Sequence, residues 1–479
     1  MISDELRHAI MSVFTHQPTS DQQHAITCFC RFLTDRDAHA VMIMRGSAGT
    51  GKTTLAAAIV NSLKSLHQKL VLLAPTGRAA KVLSVYAHSP AFTIHRRIYR
   101  QRSAGDLSSF SLNDNVHSDT LFIVDESSMI QSTSSGETAF GNGSLLDDLL
   151  QYVYGGRNCR LLLIGDKAQL PPVGETESAA LSLEVLASHG LTVHACDLDE
   201  VVRQDTSSGI LYNATMIRRL IAHDAATQLP KIVVRGFADI AIVTGSELIE
   251  QLGSSYSRVG VDETIVVTRS NKRANIYNQG IRNSVIGSEE ELCRGDQLMI
   301  VKNNYFWTQS DGRADESAKA MAFLANGDRC VVQRVRNIHE MHGFRFAEAT
   351  LLFPDYDDYE LLATVLLDTL RSESASLSRE QQEHLFAQVM TDYDDTPLKS
   401  DRLKLLRQDK YYNALQIKFS YAVTCHKAQG GQWSHVYVDQ GYMTDDMLTP
   451  DYIHWLYTAF TRATEKLYLV NWPRAQCQD

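Results

Sequence analysis

The 479-residue sequence has no apolar run approaching the roughly 20 residues that a membrane-spanning helix needs, so a helical membrane protein is not expected. Cysteine is sparse, with 8 residues and no Cys-x2-Cys spacing; only Cys28 and Cys30 lie close, one residue apart. That pattern predicts reduced thiols rather than a zinc site or a disulfide scaffold. An excess of positive charge is also missing, since 46 Lys+Arg stand against 56 Asp+Glu, a formal charge of -10. No global field therefore draws polyanions in, although a locally basic groove remains open to particular side chains. The first residues, Met1 to His8, mix both charge signs and lack the apolar stretch of a secretory signal, so the cytoplasm is the expected compartment. No internal repeat or long low-complexity linker is present. What remains is a core-forming chain, 44% hydrophobic, long enough for about three domains.

Charge is sorted along that chain. Arg78 to Arg102 carries Arg78, Lys81, Arg96, Arg97, Arg100 and Arg102 with no acid, interleaved with Tyr86, Phe92 and Tyr99. Thr264 to Ser284 carries Arg269, Lys272, Arg273 and Arg282, again without an acid. Phe353 to Asp368 is the reverse, with Asp355, Asp357, Asp358, Glu360 and Asp368 and no base. Basic residues interleaved with aromatics are the composition of a nucleic-acid surface, and equally of a solvated helix face.

The apolar run Val41-Met42-Ile43-Met44 reads as a buried strand, and Thr54 to Leu63 as an Ala/Leu-rich helix. Between them Gly46-Ser47-Ala48-Gly49-Thr50-Gly51-Lys52-Thr53 fits G-x-x-x-x-G-K-[ST], which makes Gly46 to Thr54 a candidate nucleotide-phosphate site. Its glycines let backbone N–H groups converge on phosphate oxygens. Lys52 would neutralise charge at the β and γ positions, and the Thr53 hydroxyl can ligate Mg²⁺. Downstream, Leu121-Phe122-Ile123-Val124 ends in Asp125-Glu126. A carboxylate at the C-terminal end of a parallel strand can reach the metal and its neighbour the attacking water, so Asp125 is the candidate Mg²⁺ ligand and Glu126 the candidate general base.

A third apolar strand, Leu161-Leu162-Leu163-Ile164, runs into Gly165-Asp166-Lys167-Ala168-Gln169-Leu170-Pro171-Pro172. With it the chain resembles the superfamily 1 DNA helicases of the Pif/RecD/Dda group. The resemblance includes Thr19-Ser20-Asp21-Gln22, Ala74-Pro75-Thr76-Gly77-Arg78-Ala79-Ala80, Thr93-Ile94-His95 and Val202-Arg203-Gln204. It continues through Tyr421 to Gly430 and Tyr457-Thr458-Ala459-Phe460-Thr461-Arg462-Ala463, and is weak between Phe306 and Asn413.

The resemblance implies that Gln22 reads the adenine edge of ATP and that Gln169 senses the γ-phosphate. It implies that Arg203 and Arg462 act as arginine fingers, with Gln429 and Gly430 on the nucleotide-facing side of the second lobe. A far lobe can sense closure on a nucleotide only through a charge that the γ-phosphate attracts, which suits paired arginines. Thr76, Gly77, Arg78, His95, Thr424 and His426 match positions near single-stranded DNA. If Thr424 to Lys427 is strand-like, one alternating pair faces the groove, and the sequence does not say which.

The expected fold is α/β, with two RecA-like lobes of parallel sheet flanked by helices. The first would span 1–230, with a strand-separating hairpin near 96–120 in which Phe110 and Tyr99 are candidate wedges. The second would be discontinuous, 231–294 and 415–479. Between its halves, 295–414 would form an accessory insertion containing a small β-barrel. The apolar spacing of Leu361, Leu362, Val365, Leu366 and Leu370 predicts a helix there.

Together these readings imply an ATP-driven helicase or translocase with 5′ to 3′ polarity, acting as a monomer on single-stranded DNA and duplex junctions. Alternatives are a translocase that needs a partner to unwind, a nucleotide-gated DNA-binding adaptor, and a small-substrate phosphotransferase, which would need no second lobe.

Overall fold

The computed structural model describes residues 2–14, 17–103, 106–133, 143–200, 207–222, 229–308, 323–444 and 447–478, with backbone only at 2–3, 101–103 and 106–110. A six-stranded sheet runs in the order Ala91–Thr93, Lys69–Ala74, Thr120–Val124, Arg160–Gly165, Ala40–Gly46, Thr192–Leu198. Every pairing in it is parallel. Its central strands, Val41 to Met44, Leu121 to Val124 and Leu161 to Ile164, are fully buried because helices cover both faces, so they read as continuous apolar runs rather than alternating ones. One face packs Val41, Ile43, Phe122, Val124 and Leu161; the other packs Met42, Met44, Leu121, Ile123 and Leu162.

Helices begin where side chains can hold their free N–H groups. Thr19 and Gln22 form a capping box on Ser20–Leu33, and Thr76 caps Gly77–Ala87 through the Ala79 amide. The ends of the parallel strands at Gly46, Ala74, Val124 and Gly165 consequently lie along one edge, which is where an open α/β sheet binds ligands.

A second, five-stranded parallel sheet has the order Ile240–Val243, Ala463–Val470, Trp433–Asp439, Thr264–Thr268, Ala422–Thr424. Inserted into it is a closed barrel of Gln297–Ile300, Arg329–Met341, Phe344–Phe353, Tyr359–Leu366 and Leu415–Phe419. Thus Leu415–Phe419, expected in the second lobe, hydrogen-bonds into the barrel: it lies antiparallel to Gln297–Ile300 and parallel to Tyr359–Leu366. The junction is pinned by a buried ion pair, Arg282 Nε to Asp296 Oδ1 at 2.8 Å, with Asp296 also accepting from the Tyr421 hydroxyl. Removing one partner would strand a buried charge, at a cost of about 3–5 kcal/mol.

The helix expected from Leu361 to Leu370 is a strand, Tyr359–Leu366, followed by a short turn of 3₁₀ helix at Leu367–Leu370. Leu361 and Ala363 point into the barrel while Leu362 is exposed, and Ala363 to Leu366 are all buried; the ladders to Phe344–Phe353 and Leu415–Phe419 decide over the helical spacing. The helices of this insertion come later, at Arg379–Thr391 and Lys399–Arg407. In the first lobe, Tyr99–Ser103 and Asp106–Leu112 pair antiparallel as a hairpin. No helix of the described residues is long and apolar enough to cross a membrane.

Candidate functional site

The phosphate loop leaves the strand Ala40–Gly46 and ends in the helix Lys52–Ser65. Gly49 and Gly51 both have φ of 80°, a left-handed conformation that glycine adopts without strain. A Cβ on Gly46 would lie 2.7 Å from Thr50 Oγ1 and 2.9 Å from Leu198 Cβ, so only glycine fits there. The Lys52 ammonium turns back to donate to the carbonyls of Gly46 at 2.7 Å and Ser47 at 2.9 Å, which holds a cation at the loop. Glycine-lined backbone with a lysine inside it fits a polyphosphate. Thr53 and Thr54 follow on the first turn of the helix.

Gln22 is buried beside this loop, with both ends of its amide engaged. Its Nε2 donates to Thr50 O at 3.1 Å and its Oε1 accepts from Thr19 N–H at 3.1 Å. The residue expected to read adenine therefore braces the phosphate loop in this conformation.

Asp125 and Glu126 follow the strand Thr120–Val124, which neighbours Arg160–Gly165 and is one strand removed from the loop strand. Burial, then the charge of Glu126, pushes the Asp125 carboxyl up to about 6, against the opposing pull of Lys52. A cation would relieve this, as the metal-ligand expectation requires. Glu126 has φ of 53°, unusual for a residue with a Cβ, and is held there by donating its N–H to Asp125 Oδ1 at 2.8 Å. That turn lets two consecutive carboxylates leave the strand end in different directions.

The loop after the next strand, Asp166 to Leu170, is where the two lobes meet. Leu170 N–H donates to Thr458 Oγ1 at 2.8 Å, and Leu170 O accepts from Gln429 Nε2 at 2.6 Å. His454 Nδ1 lies 2.9 Å from Ala168 O. Gln169 between them is buried, and its Oε1 has no hydrogen-bond partner among the described residues, an acceptor open to a water or a ligand. Gly430, with φ of 73°, reaches the first lobe as well: a Cβ there would sit 3.1 Å from Thr76 Oγ1.

The arginines divide. Arg462 is buried and spends its guanidinium within its own lobe, on Thr458 O at 3.0 Å, Gly431 O at 3.0 Å and Thr461 Oγ1 at 3.1 Å. Arg203 lies outside the described residues. A guanidinium that sequence reasoning missed is at the loop instead: Arg218, on the helix Gly209–Ala222, donates to Ser47 Oγ at 2.5 Å. It sits in no motif, and nothing in its neighbourhood of the sequence marks it.

The residues expected along DNA are partly covered by the barrel. A Cβ on Gly77 would lie 2.7 Å from the Tyr356 hydroxyl, which donates to Asp328 Oδ1 at 2.9 Å. Lys81 donates to Pro354 O, and Lys427 to Asn326 Oδ1. His95 packs 6.3 Å from the Phe323 ring, and burial holds its imidazole down at about 4, so it is neutral at pH 7. Arg78 stacks 4.5 Å over Trp433 and donates to Gln432 O, making it a contact between lobes. Thr424 closes its strand and Cys425–Ala428 is a helical turn, so strand alternation stops at Thr424; His426 is exposed and Cys425 buried. Tyr99 is in the core with its hydroxyl 2.7 Å from Asp148, and the Phe110 side chain lies outside the described residues.

Residues 18–229 match the family model of an AAA domain, and residues 419–470 that of the UvrD-like helicase C-terminal domain. The chain is similar to the ATP-dependent RecD2 DNA helicase of Deinococcus radiodurans, 32% identical over 64% of this chain and 39% of that protein. It is 24% identical to the ATP-dependent DNA helicase dda of Enterobacteria phage T4, over 62% of this chain and 63% of that one. The chain thus spans less than two thirds of either helicase. A crystal structure of Pif1 helicase from Bacteroides with ADP-AlF3 and single-stranded DNA superposes with a TM-score of 0.45 at 14% identity, covering 97% of this chain and 95% of that one.

Proposed function

We propose that this chain, which belongs to the superfamily 1 DNA helicases of the Pif/RecD/Dda group, hydrolyses ATP to move 5′ to 3′ along single-stranded DNA and to separate the duplex ahead of it. The observation that carries the reading is the loop Asp166 to Leu170, bonded on one side to the phosphate-binding lobe and on the other to Thr458, His454 and Gln429. A change at the nucleotide has a hydrogen-bonded route into the lobe that would grip DNA.

In this mechanism the amides of Ala48 to Thr53 and the Lys52 ammonium hold the phosphates. Thr53 and Asp125 would hold magnesium, which would supply positive charge against the phosphates. Glu126 orients the attacking water and takes its proton, and the open Oε1 of Gln169 accepts the water's other hydrogen. Arg462 leaves its bonds to Thr458, Gly431 and Thr461 to meet the γ-phosphate as the lobes close, with Arg203 as the second finger. Differential DNA affinity of the closed and open states then drives stepping. Thr76, Gly77, Arg78, His95, Thr424 and His426 would lie along the strand, backbone contacts giving grip without a base code. The first lobe takes 1–230 and the second 231–294 with 415–479, its first strand there closing the barrel of the insertion.

The test is ATP hydrolysis with and without single-stranded DNA. Stimulation by DNA in the wild type, absent in Lys52→Ala, supports the reading. Hydrolysis indifferent to DNA, or phosphorylation of an added small acceptor, contradicts it.

A further inference from the structure

The hydroxyl of Tyr457 makes two hydrogen bonds, both to the opposite lobe. It accepts from the Ala48 amide of the phosphate loop at 2.9 Å and donates to Asp166 Oδ2 at 2.7 Å. Both Tyr457 and Asp166 are buried, and burial together with the Asp166 charge holds the phenol well above its ordinary value, so it stays protonated. Packing alone would be served by phenylalanine, which the same helix carries at Phe460 in the same core. The hydroxyl adds a reading of the first lobe.

The helix that carries it, Pro450–Phe460, also receives Leu170 N–H on Thr458 Oγ1 and contacts Ala168 O through His454. Arg462 Nε in turn donates to Thr458 O, so the arginine follows this helix. Ala48 is the third residue of the loop, and its N–H is one of the backbone donors proposed above to hold phosphate. A phosphate oxygen is a stronger acceptor for that donor than a neutral phenol, because charge-assisted bonds are roughly twice as strong.

We propose that Tyr457 is a positioning residue: its hydroxyl competes with the terminal phosphate of ATP for the Ala48 amide, so that nucleotide binding frees the helix and Arg462 for closure. This rests on the motor reading above and names the contact that couples its two ends.

The experiment compares Tyr457→Phe with wild type in two readouts. One is single-stranded DNA affinity with and without a non-hydrolysable ATP analogue and magnesium. The other is kcat and KM for DNA-stimulated hydrolysis. The variant is expected to bind nucleotide at least as tightly as wild type and to bind DNA alone like wild type, while the analogue-induced change in DNA affinity shrinks several-fold. Its kcat is unchanged or up to about tenfold higher, because the bond that closure must break is already gone, and its KM is unchanged or lower. Should Tyr457→Phe fail to bind nucleotide because it misfolds, Asp166→Asn decides, since one carbonyl cannot accept fully from both Ala168 N–H and Tyr457; the same loss of coupling is expected. An analogue-induced change in DNA affinity equal to that of wild type in the folded variant overturns this proposal and leaves the motor reading standing. A wild type without DNA-stimulated hydrolysis overturns both.

Discussion

Two loops on the same edge of the first sheet are built alike and are used differently. Gly46 to Thr53 and Thr76-Gly77 each lead from a strand end into a helix start, with a glycine where a neighbour comes too close for a Cβ. At Gly46 the neighbours are the loop's own Thr50 and Leu198 of the adjacent strand, so the cradle is formed by the lobe itself. At Gly77 the neighbours are Tyr356 and Asp328 of the barrel, so the same kind of helix start is covered from outside. The lesson is that a helix N-terminus supplies the donors, while the element packed against it decides whether they form a permanent pocket or a surface to be uncovered.

The largest effects should come from breaking the self-formed cradle. Lys52→Ala is expected to lower DNA-stimulated hydrolysis by about 10³-fold or more, measured as kcat, because the charge is lost where it develops. Glu126→Gln should lose about 10²- to 10⁴-fold in kcat while retaining ATP binding, and ordinary turnover would remove it from the base role. Arg462→Ala should likewise bind ATP but lose hydrolysis, and an unchanged kcat would mean that its bonds to Thr458 and Gly431 persist through the cycle.

The pH profile sharpens the same side of the comparison. With the Asp125 carboxyl raised to about 6, the anionic form that would hold a metal in the proposed mechanism predominates above that pH and is lost below it. The kcat/KM for ATP should therefore fall as pH drops through about 6. The raised value also means that the folded state favours the protonated carboxyl, a stabilisation present at low pH and lost as pH rises through about 6. Asp125→Asn should accordingly raise the thermal midpoint at pH 7 by a few degrees while abolishing activity.

The smallest effect tests the covered loop. Tyr356→Phe removes the hydroxyl that closes on Asp328 at 2.9 Å over Gly77, and single-stranded DNA affinity is expected to rise by about two- to fivefold, on the scale of one hydrogen bond. An unchanged affinity would show that the barrel turn does not compete with DNA.

What could be read from sequence divides along the same line. The cradle was legible because all its parts are local: glycines at fixed spacing, a lysine, and a strand and helix on either side. The Asp125-Glu126 pair was legible for the same reason, as an apolar strand ending in acids. Tyr457 and Arg218 were not, because their meaning depends on distant partners, Ala48 and Asp166 at 409 and 291 residues for the one and Ser47 at 171 for the other. Arg78 has the charge for DNA, and its stacking on Trp433 of the other lobe is a second contact that no local pattern signals. Leu361 to Leu366 satisfied a helical spacing and became a strand because barrel closure supplied the hydrogen-bonding neighbours. Leu415–Phe419 closes that barrel across more than a hundred residues from Gln297–Ile300, a pairing no local pattern signals.

In the proposed mechanism nucleotide turnover at the Gly46 loop is converted into movement along one DNA strand. That conversion is tested most directly by strand separation of short duplexes bearing either a 5′ or a 3′ single-stranded tail, with magnesium and ATP, and with Lys52→Ala as the blank. Separation confined to the 5′-tailed duplex and absent from the blank is the predicted result. Separation of the 3′-tailed duplex alone would contradict the direction, and DNA-stimulated hydrolysis without separation of either would contradict the claim that this chain unwinds DNA unaided.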